Sequence, residues 1–321
     1  MAKQIIVRIG GKNKFRYKYN GKTIMDEQTL KYIDGLKIPP AWKNVEIAKN
    51  PNSKVLATGY DNADRKQYIY HPKEIKKREA RKYDRLLTFV QALPKIRRVT
   101  GQHLKRKRYD RKKVMATIVR LIDQAYFRVG NDKYAQENNS YGVTTLRTRH
   151  LTIKGGVLIF AFEGKSGQKQ HTKIKDNQLA KIVRHLDELP GYEIFKYYDK
   201  GKLVNVKSSD LNEYIREISG EDITAKDFRT WAGTLVTASA LAKASPGGDK
   251  KSVQKEITTA IKQTAKCLGN TPAIALGSYI DPRIIENFRN GHTIAKSLSK
   301  LQATKPYLSK EEYCVLKLLS K

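Results

Sequence analysis

The sequence predicts an α+β protein with a small β-rich N-terminal domain over residues 1–75 and a larger, mainly helical C-terminal domain over residues 76–321. Up to about residue 72, short runs that alternate apolar and polar positions lie between turn signals, as is typical of strands. Most of the remainder repeats apolar residues at helical spacing. Residues 149–174 interrupt that spacing with three short strand-like runs and two tight turns, which predicts a small three-stranded antiparallel sheet.

The N-terminal domain is predicted from four strand-like runs and the turns between them. Gly10–Asn13 forms one turn, and Asn20-Gly21 is a strong signal for a hairpin. The highly charged stretch Lys73–Lys82 is predicted to be a hinge to the second domain. The strand-like runs are Ile5–Ile9, Phe15–Tyr19, Val55–Tyr60 and Gln67–Tyr70.

The C-terminal domain begins its helical pattern with apolar residues around Val114 and Ile118, and this helix is expected to end near Gly130, which suits a C-terminal cap. A loop is predicted at Ser245–Gly248, and Ser309 with Glu312 forms a capping box before a last apolar helix. The strands of the small sheet are predicted at 151–153, 157–162 and 168–174. Further helices are predicted at Asp176–Leu189, Ser209–Ser219, Asp227–Ala244, Ser252–Leu268 and Ala273–Tyr279.

The charge balance of 64 Lys+Arg against 31 Asp+Glu gives a formal net charge of +33. Such a field attracts polyanions, and DNA is the first candidate because cationic side chains gain affinity by displacing its counterions. A membrane surface is the rival ligand, but no apolar run approaches 18 residues and no signal peptide is recognised, so we expect neither membrane attachment nor secretion. Positive residues are interleaved with acidic and apolar ones throughout, which favours a folded DNA-binding surface over a basic tail.

Cofactor and metal motifs are not found in the sequence. Cys267 and Cys314 lack metal-ligand spacing and are expected to be buried free thiols in a reducing intracellular compartment that contains DNA, such as the cytoplasm, a viral factory or a virion. The six histidines are scattered, so no catalytic metal is expected. Gly164-Lys165-Ser166 resembles the end of a phosphate-binding loop, but Ile159 stands where that loop needs glycine. No ATP site and no cofactor are therefore expected.

Four residues have side chains that together suit metal-free cleavage of a phosphodiester. Arg128 is placed at the end of an amphipathic helix, Lys165 at a hairpin tip, and Arg229 in the first turn of a helix that Asp227 opens. An arginine there opposes the helix dipole, which favours an anionic partner. Two guanidiniums can bind the non-bridging oxygens of the phosphate, the lysine can protonate a leaving oxygen, and Tyr279 can act as nucleophile.

Several strings around these residues, in this order, resemble the poxvirus and bacterial branch of type IB DNA topoisomerases, and within it the enzyme of giant DNA viruses of the mimivirus kind. The resemblance runs from about residue 30 to 285. The matching strings are Arg65–Tyr70; Phe127–Gly130 with Tyr134; Thr145–Arg147 with His150-Leu151; Phe162–Lys165; Lys226–Thr230; Ile261–Ala265 through Leu268–Pro272; and Ser278-Tyr279.

The resemblance implies an isomerase, a viral protein acting as a monomer with no obligate protein partner, whose two domains close around double-stranded DNA as a clamp. It implies relaxation of supercoils through a 3′-phosphotyrosine intermediate, strand rotation and religation, without ATP or metal. A preference for CCCTT-like sites is expected. The implied catalytic residues are Arg128, Lys165, Arg229, Asn270 and Tyr279, and the implied DNA contacts are Gln67, Tyr68, Tyr70, Tyr134 and Lys226.

Asn270 departs from the poxvirus pattern, which has histidine at this position of the Gly-x-Thr-Pro string, and matches the bacterial relatives. An asparagine amide can donate a hydrogen bond to a phosphate oxygen, but it cannot carry charge or transfer a proton. We therefore expect Asn270 to stabilise the transition state without acting as a general acid.

Two alternatives remain open at this level. A tyrosine recombinase uses a similar set of Arg, Lys, Arg and Tyr, although its catalytic helix normally opens with His-x-x-Arg, and here Lys226 lies three residues before Arg229. A non-enzymatic DNA-packaging protein would bind DNA without using Tyr279.

A basic path would slow strand rotation if it faced DNA, or be a solvated helix face if it did not. The path comprises Lys95, Arg97, Arg98, Lys105–Arg108 and Arg111–Lys113.

Overall fold

The computed structural model describes residues 4–11, 14–244 and 249–320. The loop predicted at Ser245–Gly248 and part of the turn predicted at Gly10–Asn13 lie outside the described residues. The chain divides into two compact units, Met1–Tyr83 and Asp84–Lys321, whereas the sequence placed the boundary at residue 75. No helix in the described ranges has the length and apolar character needed to cross a membrane.

The first unit is an antiparallel sheet with one helix, α1 (Glu27–Gly35), packed on it. Both residues of the predicted Asn20-Gly21 turn have positive φ, as a two-residue hairpin requires, so that prediction is confirmed. The strands are β1 (Ile5–Gly11), β2 (Lys14–Tyr19), β3 (Lys22–Thr23), β4 (Lys43–Ala48), β5 (Val55–Tyr60) and β6 (Lys66–Tyr70), in the order β3-β2-β1-β4-β5-β6. The core between sheet and helix consists of Ile6, Ile33, Val45, Ile47 and Ala57.

Helix α2 (Pro72–Leu104) replaces the hinge predicted at Lys73–Lys82. Proline suits the first position of a helix because its missing N–H would have no partner there. The charged stretch therefore forms the first turns of a 33-residue helix rather than a break in the chain.

The second unit is mainly helical and contains the predicted three-stranded antiparallel sheet, so the α+β prediction is confirmed. The sheet comprises β7 (Leu151–Lys154), β8 (Val157–Glu163) and β9 (Lys169–Lys175), and a separate hairpin comprises β10 (Lys196–Asp199) and β11 (Lys202–Asn205). The helices are α3 (Arg111–Ala125), α4 (Asp132–Asn138), α5 (Asn177–Asp187), α6 (Ser208–Ser219), α7 (Ala225–Leu241), α8 (Lys250–Leu268), α9 (Pro272–Tyr279), α10 (Pro282–Arg289), α11 (Ala295–Lys300) and α12 (Lys310–Leu319).

Helix α7 is largely buried, and its buried residues include both large apolar side chains and small residues. Phe228 and Trp231 are buried in the core, while Ala232 and Gly233 leave room for neighbouring helices to approach. Helices α8 and α9 both pack against α7. This arrangement brings residues from distant parts of the sequence to one helix.

Helix α3 ends earlier than predicted. Tyr126 is its C-terminal cap, in the left-handed conformation with φ of 56°, and its N–H donates to the Ile122 carbonyl. Gly130 is therefore not the cap, and Arg128 lies beyond the helix rather than at its end.

The predicted basic path is wrong for several of its members because they form internal contacts. Arg97 donates two hydrogen bonds to Asp123, both of 2.8 Å, and two to Glu312, of 2.7 and 2.9 Å. Glu312 also accepts from the Trp231 indole at 3.2 Å. Lys113 is buried and donates to the Arg106 carbonyl at 2.7 Å. Arg97 thus joins α2 to α3 and α12 instead of facing DNA.

The two cysteines differ in exposure. Cys314 is buried in α12 as expected, but Cys267 is exposed on α8, so the prediction that both are buried is wrong for Cys267. Cys267 precedes the buried Leu268 at the end of α8, and its thiol interacts electrostatically with the Arg229 guanidinium.

We predict that Glu312→Gln lowers the free energy of unfolding by about 2 kcal/mol, because it leaves the partly buried Arg97 guanidinium with one carboxylate instead of two. Urea denaturation followed by circular dichroism measures this. Glu311→Gln is the matched control, since Glu311 is the exposed neighbour on the same helix. Equal losses in the two variants would contradict the prediction.

Candidate active site

Four of the five candidate catalytic residues meet in the second unit. Arg128 follows α3, Arg229 belongs to α7, Asn270 follows α8, and Tyr279 is the last residue of α9. Arg128 contacts Asn270, and Arg229 contacts the ring of Tyr279. Residues up to 151 positions apart in the chain, from 128 to 279, therefore form one cluster.

Arg128 is held in an extended segment by pairing of its backbone with residues 142–144. The Val143 N–H donates to the Arg128 carbonyl at 2.8 Å, and the Thr144 N–H donates to the Val129 carbonyl at 2.7 Å. A Cβ on Gly142 would lie 2.6 Å from the Arg128 carbonyl oxygen, which no real side chain tolerates. Glycine at position 142 is thus what allows the two segments to approach and place Arg128.

Arg229 lies in the second turn of α7, not the first as predicted, because the helix begins at Ala225 with Thr224 as its N-cap. The residue is 4% exposed, and its guanidinium donates to the Tyr126 carbonyl and, at 2.8 Å, to the Leu268 carbonyl. Burial, and then the charge of Arg128, lower the pKa of Arg229. Within the described ranges no carboxylate forms an ion pair with it, so a buried cation here lacks a counter-ion and favours an anionic ligand.

Asn270 follows a left-handed turn at Gly269, which ends α8, and the Asn270 N–H donates back to the Ala265 carbonyl at 2.9 Å. The side-chain Oδ1 accepts a hydrogen bond from Arg128, which fixes the orientation of the amide. The Nδ2 group is buried and has no acceptor among the described residues. A buried donor without a partner is rare in folded proteins, and this one is available to a ligand oxygen.

Tyr279 has its ring 5.0 Å from the guanidinium carbon of Arg229. Burial by itself would raise the pKa of Tyr279, but the charge of Arg229, a hydrogen bond from it, and the charges of Arg128 and Lys226 together lower that pKa below its ordinary value. The surroundings of this phenol therefore favour its ionised form.

Lys165 stands apart from the other four. It begins a tight turn, Lys165–Gly167, between β8 and β9, and it is exposed. No contact within the described chain joins it to the cluster. The turn end of its hairpin does approach the cluster, because a Cβ on Gly269 would lie 2.4 Å from the Gln170 amide nitrogen. The structure thus brings the Lys165 hairpin to the Asn270 turn but leaves the lysine itself free in solvent.

The candidate DNA contacts of the second unit are exposed. Lys226, near the start of α7, influences the phenol of Tyr279 through its charge. Tyr134, in α4, is 41% exposed and contacts none of the four clustered residues in the described part of the chain.

The candidates of the first unit lie on β6. The rings of Tyr68 and Tyr70 stack with centroids 5.8 Å apart, which confirms that they share a face. The guanidinium carbon of Arg78 lies 3.8 Å from the centre of the Tyr70 ring. The Gln67 amide donates to Asp61 at 2.9 Å, which orients it. Tyr68 and Tyr70 therefore form an aromatic pair on one face of β6, and Gln67 lies on the other face with Ile69, which packs against the core.

His150, in one of the matching strings, is buried against the ring of Tyr141 and accepts a hydrogen bond from the Arg147 N–H at 3.1 Å. Burial, with the charges of Arg149 and Arg147, lowers the pKa of His150 to about 4. Histidine in the unfolded chain titrates near ~6.5, so the unfolded state takes up a proton first as the pH falls. The stabilisation that neutral His150 gives the folded state is fully present above the pKa of the unfolded histidine. It is lost as the pH falls from there to the folded-state pKa of about 4.

Two family models match this chain. A family model described as the catalytic core of eukaryotic DNA topoisomerase I matches residues 64–305, and a model of the N-terminal domain of bacterial DNA topoisomerase IB matches residues 14–61. The chain belongs to the type IB DNA topoisomerases. The resemblance drawn from the strings of the sequence is confirmed, and the recombinase and packaging alternatives give way to this family.

Relatives of this topoisomerase family include viral and cellular enzymes. DNA topoisomerase 1B of Acanthamoeba polyphaga mimivirus is 33% identical over 87% of this chain and 85% of its own length. DNA topoisomerase 1B of vaccinia virus (strain Copenhagen) is 26% identical over 81% of this chain and 82% of its own length. DNA topoisomerase 1 of Schizosaccharomyces pombe is 24% identical over 68% of this chain but only 27% of its own length.

We predict that stability falls less between pH 7 and pH 5 in His150→Gln than in the wild type, by about 1 kcal/mol, because only the wild type takes up a proton at this position on unfolding. Urea denaturation at the two pH values measures it. His171→Gln is the control, since His171 is exposed. A wild-type pH dependence retained in His150→Gln would refute the buried neutral histidine.

Proposed function

We propose that this topoisomerase relaxes supercoiled double-stranded DNA by cutting one strand through a 3′-phosphotyrosine formed by Tyr279, letting that strand rotate, and rejoining it. The observation that carries the proposal is the position of the Tyr279 phenol beside the buried guanidinium of Arg229, which has no carboxylate partner in the described chain. Arg128 and the free amide donor of Asn270 lie on the same cluster.

The phosphate is bound by donors that keep their charge or orientation throughout the reaction. Arg128 and Arg229 contact the non-bridging oxygens, and the Nδ2 of Asn270 supplies a third donor. These groups are most useful in the pentavalent transition state, where negative charge on those oxygens is greatest.

Tyr279 attacks phosphorus, a bond forms from its phenolic oxygen, and the bond from phosphorus to the 5′ oxygen breaks. Three cations favour ionisation of the Tyr279 phenol. No histidine or carboxylate in the described chain acts on this phenol as a base. The proton therefore passes to water, and Arg229, Arg128 and Lys226 lower the free-energy cost of releasing it.

Lys165 protonates the leaving 5′ oxygen. Its turn is exposed and carries glycine at positions 164 and 167, so the lysine can move towards a bound strand. Religation reverses the step: the 5′ hydroxyl returns its proton to Lys165 and attacks phosphorus, the bond from phosphorus to the Tyr279 oxygen breaks, and the phenol regains its proton from water. The phosphodiester energy is conserved in the intermediate, so the reaction proceeds without ATP or a metal ion.

DNA is held mainly through its phosphates by a strongly basic protein. Lys226 and Tyr134 contact the backbone near the cut, and the Gln67, Tyr68 and Tyr70 side chains read the major groove, with a preference for CCCTT-like sites. The protein works as a monomer, its two domains closing around the duplex, in a reducing compartment inside the cell.

We predict that Tyr279→Phe abolishes relaxation of supercoiled plasmid in EDTA without nucleotide, because the nucleophilic oxygen is gone. SDS trapping should show a covalent protein–DNA adduct for the wild type and none for the variant, while both bind DNA in a mobility-shift assay. Tyr192→Phe is the matched control, since Tyr192 is exposed and lies outside the cluster, and it should form the adduct as the wild type does. Normal relaxation by Tyr279→Phe would disprove the proposal.

We also predict that Asn270→Ala slows adduct formation by about 100-fold, the usual effect of one lost transition-state donor. Asn270→Asp should be slower still, because a carboxylate at this position would pair with Arg128 and repel the phosphate. Asn270→His should retain more activity than either variant, since an imidazole can donate a hydrogen bond. Equal rates for Asn270→Ala and the wild type would remove Asn270 from the mechanism.

A further inference from the structure

Helix α9 cannot by itself fix the position of the nucleophile. It has eight residues, too few for a stable isolated helix. Most of its surface is exposed, including Ile274 and Leu276, and Ala275 is its fully buried residue. The placement of Tyr279 at its C-terminal end must therefore come from contacts with the rest of the fold.

Gly233, in the middle of α7, is the first of these contacts. A Cβ at this position would lie 2.5 Å from the carbonyl oxygen of Tyr279 and 2.9 Å from its Cβ. The end of α9 therefore rests directly on the backbone of α7. A glycine inside a 17-residue helix is unfavourable relative to alanine, so the close approach is the physical reason for glycine here.

Thr234 is the second contact. Its hydroxyl donates to the Tyr279 carbonyl at 3.4 Å and accepts from the Asp281 N–H at 3.1 Å. The carbonyl of Tyr279 belongs to the last turn of α9, where helical partners run out. Thr234 is fully buried, so one hydroxyl satisfies both backbone groups on either side of Ile280 and joins that segment to α7.

Helix α7 also carries Arg229, one turn before Gly233 and therefore on the same face. The guanidinium acts on the Tyr279 ring, while Gly233 and Thr234 hold the Tyr279 backbone. A single rigid helix thus sets the distance between the phosphate-binding arginine and the attacking oxygen.

We propose that Gly233 and Thr234 are positioning residues that hold the Tyr279 backbone in register with Arg229, so that the phenolic oxygen is aligned for attack. This inference rests on the proposed function, in which Tyr279 is the nucleophile. Neither residue touches the reacting atoms. Their loss should change the rate of covalent chemistry while DNA binding stays intact.

The test compares full-length Thr234→Val, Thr234→Ser and Gly233→Ala with the wild type and with Tyr279→Phe. Valine keeps the shape of threonine and removes the hydroxyl, and serine keeps the hydroxyl. Thr237→Val is the matched control, because Thr237 is also buried on α7 but its hydroxyl bonds to Thr264 and to the Gly233 carbonyl. DNA binding is measured by mobility shift, and adduct formation on supercoiled plasmid is measured with excess enzyme from pH 6 to 10.

We expect Thr234→Val to bind DNA as the wild type does but to form the adduct at least ~10-fold more slowly, and Gly233→Ala to be slower still, because small displacements of a reacting atom are costly. Thr234→Ser should recover most of the rate, and Thr237→Val should keep it. In Thr234→Val the alkaline rise in rate should move to higher pH, because Tyr279 shifted away from Arg229 loses the charge that lowers its pKa.

Two results would overturn the inference while Tyr279 remains the nucleophile. In the first, Thr234→Val and Gly233→Ala form the adduct at the wild-type rate and with the wild-type pH profile, while Tyr279→Phe forms none. The other is an equal loss in Thr234→Val, Thr234→Ser and Thr237→Val, which would indicate a structural effect on α7. If Gly233→Ala does not fold, the two Thr234 variants decide. An adduct formed by Tyr279→Phe would instead disprove the proposed function itself.

Discussion

The buried guanidinium of Arg229 is the charge on which the site depends. It lies among carbonyl oxygens, without a carboxylate partner in the described chain, so its field is directed at whatever anion approaches. A paired arginine would be more stable and less useful, because its counter-ion would compete with a phosphate. The same field favours ionisation of Tyr279, so in the proposed mechanism Arg229 acts on both the phosphate and the nucleophile.

Contacts elsewhere in the second unit hold α7, the helix that carries Arg229, in place. Helix α7 is fixed on one side by Trp231, which donates to Glu312, and Glu312 is bound in turn by Arg97. On the other side, α7 receives the end of α9 at Gly233. Ion pairs thus stabilise the helices around the cluster, while Arg229 within it has no carboxylate partner in the described chain. Such internal pairs add no positive charge to the net charge of +33, so that excess comes from the other Lys and Arg residues.

Much of the fold followed from local patterns. The Asn20-Gly21 hairpin and the three-stranded sheet were predicted correctly because turn residues and alternation are local signals. Helix α1 and strand β4 were missed because their apolar pattern is short. The hinge expected at Lys73–Lys82 was wrong because charge alone does not distinguish a loop from an exposed helix.

By itself, the sequence determined the family, because contiguous strings such as Lys226–Thr230 can be recognised without a structure, and it predicted the types of residue for the proposed chemistry. Only the tertiary structure decided which charges are free. Arg97 and Arg229 look alike in the sequence, yet one is bound by two carboxylates and the other by none in the described chain. Burial and pairing depend on residues distant in the sequence: Glu312 lies 215 positions from Arg97, and Tyr126 lies 103 positions from Arg229. No local pattern contains that information.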